Sequence, residues 1–594
     1  MNQKSNTPAP GDAAAGQAGG DTGRKIASHS RAANGIFHLK ALLLSVQRVL
    51  QDMRGGGARK HAKGNALCDA PVIASHEGNL WNADDNPLNW RLTAGKVHNL
   101  RTAAAKLDGV EIPAGEVFGF WAHVGRPARS RGFVVGRAVR EGCITPSLAG
   151  GLCQLSNALY DAALNAGLEI VERHRHSGVI RGTLAERDRD ATIKWNYLDL
   201  RFRAAHPLRI EVELTGKKLL IRLRGTGQQK PHAAWREVIR PASPLRDCYS
   251  CGQAACASHR VVEPVTRQPA AFLLDERWPE YDGYLAQTAD ANDVFLCPVD
   301  TRILRKRNYA WNLAGFGRVR TFTLHTLLRA LAVRRTAGKG GKALQSTLIA
   351  HDRKLAQRYM RQIPPECTHL VVAQNLLPHL WEAGALGGRT FDVLMYRLPL
   401  GTLQERLDGA YSRNPRSTTL NDFRAPDAFV DLESRALERA RRIITPHAEI
   451  ASMFGERALP LKWELPATAA RPAAHGTKIL LAAPPLGRKG IYEVERLAEE
   501  LELSVVALRG ASEGVQHSRR IGTVDAVPYA EIGLVLLPAY VEHKPRIVLR
   551  AVAMGIPAVA SEACGLQGVQ GVTTVPAGDY EALKQAAIAS LAAA

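Results

Sequence analysis

From about residue 290 onward the chain repeats one pattern: a short apolar run, a turn, then a helical stretch. THLVVAQN, RRIITPHAE, KILLAAPPLG, LSVVALRG, IGLVLLPAY and IPAVASEACG are the runs, and ESRALERARR and YEVERLAEELE lie between them. Each run reads as a buried strand entering a turn, because it lacks the polar alternation of a half-exposed strand. Strand-then-helix repetition restricts this half to a doubly wound parallel α/β architecture, and about 300 residues are enough for two such lobes. Ligands of such sheets bind beyond the carboxyl ends of the strands, so the turns after these runs are where function is expected.

The earlier part of the chain reads differently. RLTAGKVHNLRTAAAKLDGV (Arg91–Val110) has helical apolar spacing and ends near Asp108-Gly109. PLRIEVELTGKKLLIRLRG (Pro207–Gly225) alternates as two strands about a Thr215-Gly216-Lys217 turn. This region is α+β, and 594 residues are too many for one core, so the chain is multidomain.

Residues 1–34 read as a disordered tail, rich near the start in Ala, Gly, Pro and Gln and without an apolar core usable by a signal peptidase. GIFHLKALLLSVQRVLQDM (Gly35–Met53) reads as an amphipathic helix interrupted by Lys40, Arg48 and Gln51, so it is not expected to span a bilayer. Such a helix either packs on the protein or docks peripherally on a membrane through a basic face. The nine cysteines form no evenly spaced disulfide framework, which fits a reducing, cytoplasmic setting, peripheral to the inner membrane face if the helix docks. A formal charge of +22 suits anionic lipid or phosphorylated ligands. Aromatic residues at 6% and no basic stripe with interleaved aromatics make nucleic acid the less favoured partner.

PSLAGGLCQLSNALYDAAL (Pro146–Leu164) places Cys153 where a glycine-flanked loop meets an amphipathic helix. Leu152, Leu155, Leu159, Ala162 and Ala166 form the apolar stripe, Gly167 ends the helix, and Cys153 lies in the first turn off that stripe. A thiol there feels the positive end of the helix dipole, which favours thiolate and could supply an oxyanion hole. GLEIVERHRHSG (Gly167–Gly178) reads as a strand with His174 and His176 on one side, and DATIKWNYLDLRF, again strand-like, offers Asp190 and Asp199. Cys153, His176 and either aspartate have the order of a Cys–His–Asp nucleophilic site, the alternative being a buried structural cysteine.

GEVFGFWAHVGRPARSRGF, LAGGLCQLSNALYDAALNAGLEIVERHRHS and DATIKWNYLDLRF together resemble the VanW family, over roughly Arg91 to Leu214. The resemblance implies a cell-envelope or glycopeptide-related context, and its central motif contains Gly150, Gly151, Cys153, Gln154 and Ser156, with His176 and Ser177 in the next.

RDCYSCGQAACASHR then presents Cys248, Cys251, Cys256 and His259 at C-x2-C-x4-C-x2-H spacing. Three thiolates and an imidazole can close a structural zinc shell or hold an iron–sulfur cluster, the alternative being unligated or redox-active thiols.

In the C-terminal part, Gly487-Arg488-Lys489-Gly490 follows the run KILLAAPP and opens a helix, so backbone N–H groups and two cations meet where a diphosphate could sit. VEHKPRIVLRAVAMGIPAVASEACGL (Val541–Leu566) sets Glu542 before a helix and Gly555-Ile556-Pro557 before a strand. This order resembles the nucleotide-sugar half of retaining GT-B glycosyltransferases, and ARRIITPHAE (Ala440–Glu449) resembles their segment crossing between lobes. The resemblance implies that Arg488 and Lys489 neutralise the donor diphosphate and that Glu542 contacts the donor sugar. It also marks a departure: the family's second carboxylate is Arg550 here, and an arginine cannot accept hydrogen bonds from a ribose. His325, His351 and His379 are candidates for acceptor contacts.

The expected organisation is a tail (1–34), a helix and linker (35–75), a VanW-like α+β domain (76–240), a Cys-rich bridge (241–275), and two GT-B-like lobes (276–460 and 461–594). The expected function is sugar transfer from a nucleotide-sugar donor to a glycan or peptidoglycan-precursor-like acceptor. The rivals are a non-catalytic envelope-assembly or ligand-binding protein, and a thiol acyl-transferase or peptidase centred on Cys153.

Overall fold

A computed structural model describes residues 31–81, 89–140, 143–176, 178–226, 239–243, 246–247, 267–299, 307–336, 338, 340–422, 424–467, 476–511, 513 and 518–592. The Cys248, Cys251, Cys256 and His259 quartet falls outside these residues, and among the described residues no group of three or more His, Cys, Asp or Glu gathers as a metal site.

The N-terminal domain is α+β. The helix Trp90–Leu107 presents Val97, Leu100 and Leu107, and the helix Cys153–Asn165 presents Leu155, Leu159 and Ala162, to one shared core. That core is closed by the alternating inward residues of the hairpin, Ile210 and Val212 on Leu208–Leu214 and Leu219, Ile221 and Leu223 on Lys218–Gly225. The hairpin belongs to a four-stranded antiparallel sheet ordered Val72–Asn79, Lys218–Gly225, Leu208–Leu214, Val110–Ile112. Its tip turns where expected, with Thr215 N–H donating to Lys218 O at 2.9 Å, and it abuts the next domain, whose Gly388 N–H donates to Thr215 O at 3.0 Å.

Two expectations for this domain need correction. The strand beginning in GLEIVERHRHSG stops at Glu172, so His174 and His176 lie on a loop and do not share a strand face. Asp190 also lies outside any strand, and the next strand is only Arg201–Arg203.

The apolar runs beyond residue 267 form two parallel sheets. The first is ordered Arg318–Thr321, Val294–Cys297, Ala270–Leu273, His369–Ala373, Thr390–Leu394, Arg442–Thr445, Ala458–Pro460. The second is ordered Ile521–Val524, Val505–Leu508, Lys478–Leu481, Ile532–Leu537, Ala558–Ser561, Val572–Val575. In chain order within each lobe this is 3-2-1-4-5-6, with one further strand on the first. The order reverses between strands 1 and 4, and that reversal opens a crevice at their carboxyl ends. Strand residues such as Ile479, Leu480, Leu481, Leu534, Val535 and Leu536 are fully buried, as runs covered by helices on both faces must be. Across the two lobes the Arg546 guanidinium meets Glu280 with a 2.7 Å bond, and the Trp463 indole donates to Gly565 O at 2.8 Å.

The amphipathic helix runs Arg31–Gln51, starting inside the span read as a tail. Its orientation differs from a core-packed helix. Arg48 makes a two-pronged bond to Glu172 at 3.0 and 2.6 Å, and Asp52, just beyond the helix, meets Arg201 at 3.0 Å, so a polar stripe holds it to the domain. The apolar stripe faces outward, with Leu42 and Leu43 61% and Met53 78% exposed. Among the described residues no helix is long and apolar enough to cross a membrane.

Candidate functional site

The glycines of PSLAGGLCQLS have a packing role that places Cys153. A Cβ on Gly150 would lie 2.4 Å from the Gly136 carbonyl oxygen, and one on Gly151, at φ 99°, would lie 2.1 Å from the Lys96 side chain. The loop therefore presses against strand and helix as no larger residue could. The fully buried Asn99 fixes it there, donating to Gly150 O at 3.0 Å and Val134 O at 3.1 Å and accepting from Val134 N–H at 2.9 Å. Cys153 opens the helix that follows, and its first turn is tied to the loop, Gln154 N–H donating to Gly151 O and Leu155 N–H to Leu152 O, both at 3.0 Å.

That same helix aligns the other two groups. Ser156 donates to Ala191 O at 2.5 Å, and Asn157 accepts from Ala191 N–H at 2.8 Å, pinning the segment 190–193 alongside the first turn. The Cys153 sulfur thereby lies 3.9 Å from Thr192 Oγ1 and 3.8 Å from Ile193 O. Thr192 N–H in turn donates to His174 O at 2.7 Å, which lays the 173–176 loop against this segment. Asp190, fully buried, then accepts from the His176 backbone N–H at 2.7 Å and bonds His176 Nδ1 at 2.5 Å. Arg173 steadies the carboxylate at 3.1 Å, and Arg240 binds His176 O at 2.8 Å.

With Nδ1 committed to Asp190, the other face of the His176 ring is free to bond the Cys153 thiol. Burial works against the thiolate, but the hydrogen bond and charge of His176 outweigh it and hold the thiol below its ordinary value. Burial likewise opposes the imidazolium, and the bonds to Asp190 and Cys153 carry His176 up to about 9. The imidazole, itself held by Asp190, thus favours the thiolate form of Cys153 over that of an ordinary thiol. His174 is not part of it, turning instead to Glu172 at 3.0 Å. Neither is Asp199, which accepts from Trp121 N–H at 3.1 Å, Leu200 N–H at 3.0 Å and Arg201 Nε at 3.1 Å. Those bonds give Asp199 a structural post at the start of the Arg201–Arg203 strand.

The second cluster lies at the strand-order reversal of the last lobe. Gly487–Lys489 forms one tight turn after strand 1, Gly490 follows at φ 81°, and the helix Ile491–Glu500 starts there. Glu542 follows strand 4, across the same crevice. Lys489 Nζ bonds Glu542 Oε2 at 2.8 Å and Val541 O at 2.9 Å, and Glu542 Oε1 accepts from the N–H groups of His543 at 2.8 Å and Lys544 at 2.7 Å. Burial opposes this carboxylate, but Lys489 and the two N–H groups hold its pKa well below the usual range. Lys489 is thus engaged by Glu542 instead of standing as an independent cation. Arg488 lies close enough to Asp422, Glu542 and Glu513 to feel all three carboxylates. Arg550 sits on the exposed face of the helix Arg546–Ala553, beside Tyr529. His325 and His379 are each 3% exposed, buried positions unsuited to touching an acceptor.

Two features here escaped the sequence reading. Glu513 accepts from Ser417 Oγ and Thr418 N–H, both at 2.9 Å, from Thr419 N–H at 3.3 Å, and also from Thr419 Oγ1 and Gly487 N–H. A carboxylate thus fills a cradle of anion donors contributed by both lobes. In the first lobe, Asp275 follows strand 1, meets Arg329 at 3.0 Å and accepts from Asn375 at 2.9 Å, while Arg329 also meets Asp352 at 3.1 Å. Asp275 directly after the run AFLL carried a signal, since it stands at a strand's carboxyl end; its partners, 54 to 100 positions away, carried none.

Residues 95–224 match the family model described as VanW like protein. The chain is 30% identical over 128 residues to the uncharacterized protein YoaR of Bacillus subtilis, covering 21% of this chain and 42% of that protein. It is 35% identical over 117 residues to the vancomycin B-type resistance protein VanW of Enterococcus faecalis, covering 18% and 40%. The chain therefore spans about two fifths of the length of the curated relatives it matches. Among solved structures it is similar to a sucrose-phosphate synthase (tll1590) from Thermosynechococcus elongatus, with TM-score 0.32 and 14% identity over 55% of this chain and 90% of that one. It is also similar to Anabaena Alr3699/HepE in complex with UDP, with TM-score 0.33 and 15% identity over 54% and 90%.

Proposed function

We propose that this chain, a VanW-like domain joined to two doubly wound lobes, is a glycosyltransferase of the cell envelope that moves a sugar from a nucleotide donor to a glycan or peptidoglycan-precursor-like acceptor with retention. The observation that carries this reading is the crevice of the last lobe. The Gly487–Gly490 turn, a helix start and the Lys489–Glu542 pair meet at the point where the strand order reverses, which is where such sheets take nucleotides. Arg488 and the Gly487 N–H, once released by Glu513, suit a diphosphate, on which negative charge grows as the sugar leaves. The Asp275–Arg329–Asp352 constellation holds the corresponding place in the first lobe and is assigned to the acceptor side.

Glu513 has a part in this reading. Its carboxylate occupies donors that a phosphate would use, so nucleotide entry requires it to withdraw. Thermal melts of the full chain with UDP, GDP and ADP and their sugar conjugates test this. A ligand at about 100 times its Kd adds about 2.7 kcal/mol to stability. One nucleotide is expected to raise the melting temperature, and Glu513→Gln is expected to tighten its binding about tenfold. No shift with any nucleotide, in either protein, would favour a lobe that only scaffolds.

The exposed helix Arg31–Gln51 supports work at an anionic membrane surface. Ile36, Leu39, Leu43, Val46, Leu50 and, just beyond the helix, Met53 recur at alternating three- and four-residue steps on the face opposite Arg48 and Asp52. Leu42 and Val49 broaden that face where a paired helix would carry complementary charges, which favours lipid over a second copy. Exposed Lys40, Arg54, Arg59 and Lys60 flank it. Full-length protein should sediment with vesicles containing phosphatidylglycerol but not with phosphatidylcholine alone, and Leu43→Glu with Val46→Glu should abolish sedimentation. Vesicle-independent dimers lost in the same variant would overturn the assignment.

A further inference from the structure

We infer that Cys153, His176 and Asp190 form a second reaction centre, a thiol nucleophile that accepts an acyl group from an amide or ester. This goes beyond the sugar-transfer reading and does not depend on it.

Three independently placed elements converge: a helix start, the 173–176 loop and the 190–193 segment. Their exposure is graded as such chemistry needs. Cys153 is half-buried, the His176 side chain is 26% exposed and Asp190 is fully enclosed, so the two reacting groups are reachable while the orienting one is not. The chain's own core cysteines give the contrast. Cys367 and Cys564 are buried, and burial pushes each thiol up to about 12, whereas Cys153 alone among the three has an imidazole acting on its thiol. A structural cysteine needs neither a histidine whose far nitrogen is bound by a carboxylate nor an arginine at 3.1 Å steadying that carboxylate.

The chemistry follows from this geometry. The Cys153 thiolate adds to a carbonyl carbon, forming a C–S bond and moving the carbonyl π pair onto oxygen. Collapse breaks the C–N or C–O bond, and the departing amine or alcohol takes the proton of His176 Nε2, leaving a thioester and neutral imidazole. Water or an acceptor amine or hydroxyl then gives its proton to His176 and attacks the thioester carbon. The C–S bond breaks, and thiolate and imidazolium are restored. Asp190 holds the ring throughout and does not itself exchange the proton.

Cys68, an exposed free thiol of the same chain, supplies the internal reference. The full chain is treated with iodoacetamide at pH 6 and, separately, with p-nitrophenyl acetate, and each cysteine is followed by peptide mass mapping. Cys153 is expected to alkylate at least about tenfold faster than Cys68, because His176 beside it raises its thiolate fraction above that of an ordinary thiol. It is also expected to carry the acetyl group, and His176→Ala should remove both properties while circular dichroism stays unchanged. Alkylation of Cys153 no faster than Cys68, or labelling indifferent to His176→Ala, would overturn the proposal. If His176→Ala misfolds, His176→Gln serves, since it keeps a polar group of similar reach but cannot become a cation.

Discussion

Exchanging Asp190 for asparagine is expected to slow alkylation of Cys153 at pH 7 several-fold and to move the midpoint of its pH profile up toward that of a free thiol. The chain of cause runs through His176, whose rise to about 9 rests on its bond to Asp190 after burial has pulled the other way. Without the carboxylate the imidazole falls back toward about 6.5 and is neutral at pH 7. The thiolate then loses its cationic partner, and an ordinary thiol of pKa about 8.5 is only a few per cent ionised at that pH. A merely structural Asp190 would lower stability without moving this midpoint, so the pH profile separates the two roles.

Stability should also respond, with a definite sign. The folded pKa of Asp190 lies below its unfolded value, so its contribution is present above about pH 4 and is lost as pH falls through the folded value. The folded pKa of His176 lies above its unfolded value, so its contribution is complete below about pH 6.5 and is lost as pH rises through about 9. Urea melts of wild type and Asp190→Ala should therefore differ most between about pH 4 and 6.5. The gap there should reach about 1–3 kcal/mol, since the substitution leaves the His176 backbone N–H and Nδ1 without their buried acceptor, while Arg173 keeps Asp188. A gap that does not vary with pH would show that the pair carries no coupled charge in the folded protein.

How much of this was legible in sequence depends on how local each cause is. The strands of both lobes could be read because burial on two faces writes itself as uninterrupted apolar residues, as in KILL or IGLVLL. The hairpin could be read from alternation about Thr215-Gly216-Lys217. Cys153 at a helix start could be read from the glycines before it and the stripe after it. The group around it was less accessible. His176 and Asp190 were named on the premise of strands that the chain does not form there; what brings them together is Ser156 and Asn157 gripping Ala191, a contact across 34 and 35 positions. Asp199 had the same residue type and a similar spacing, but it is consumed by the Trp121 and Leu200 amides and by Arg201. Glu513 and the Arg329–Asp275 pair depend on tertiary approach alone. The outward apolar face of the helix Arg31–Gln51 was hidden for a different reason: periodicity reveals that a helix has two faces, not which one the protein keeps.

The crevice offers the other large effect, through Gly490. Its φ of 81° is a region that a side chain enters at a cost of about 1–2 kcal/mol, and a Cβ there would lie 2.4 Å from the Pro538 carbonyl oxygen and 2.9 Å from its carbon. Both are backbone atoms at the end of the buried strand Ile532–Leu537, so no side chain can swing aside to relieve the contact. Gly490→Ala is therefore expected to destabilise the chain by about 3 kcal/mol or more, strain and clash acting together. The functional loss should exceed the stability loss. Relieving the clash means moving the Gly487–Gly490 turn away from strand 4, which carries the Gly487 N–H away from Glu513 and Lys489 out of line with Glu542. Nucleotide-induced stabilisation should then vanish even at temperatures where the variant remains folded. Gly522→Ala is the matched control, on an exposed strand of the same sheet with no atom within 4 Å of the new methyl group. It should melt within about 1 kcal/mol of wild type and bind nucleotide unchanged. Equal behaviour of the two variants would mean that the tight approach of the turn to Pro538 does not govern this site, and that whatever anchors the nucleotide lies elsewhere in the crevice.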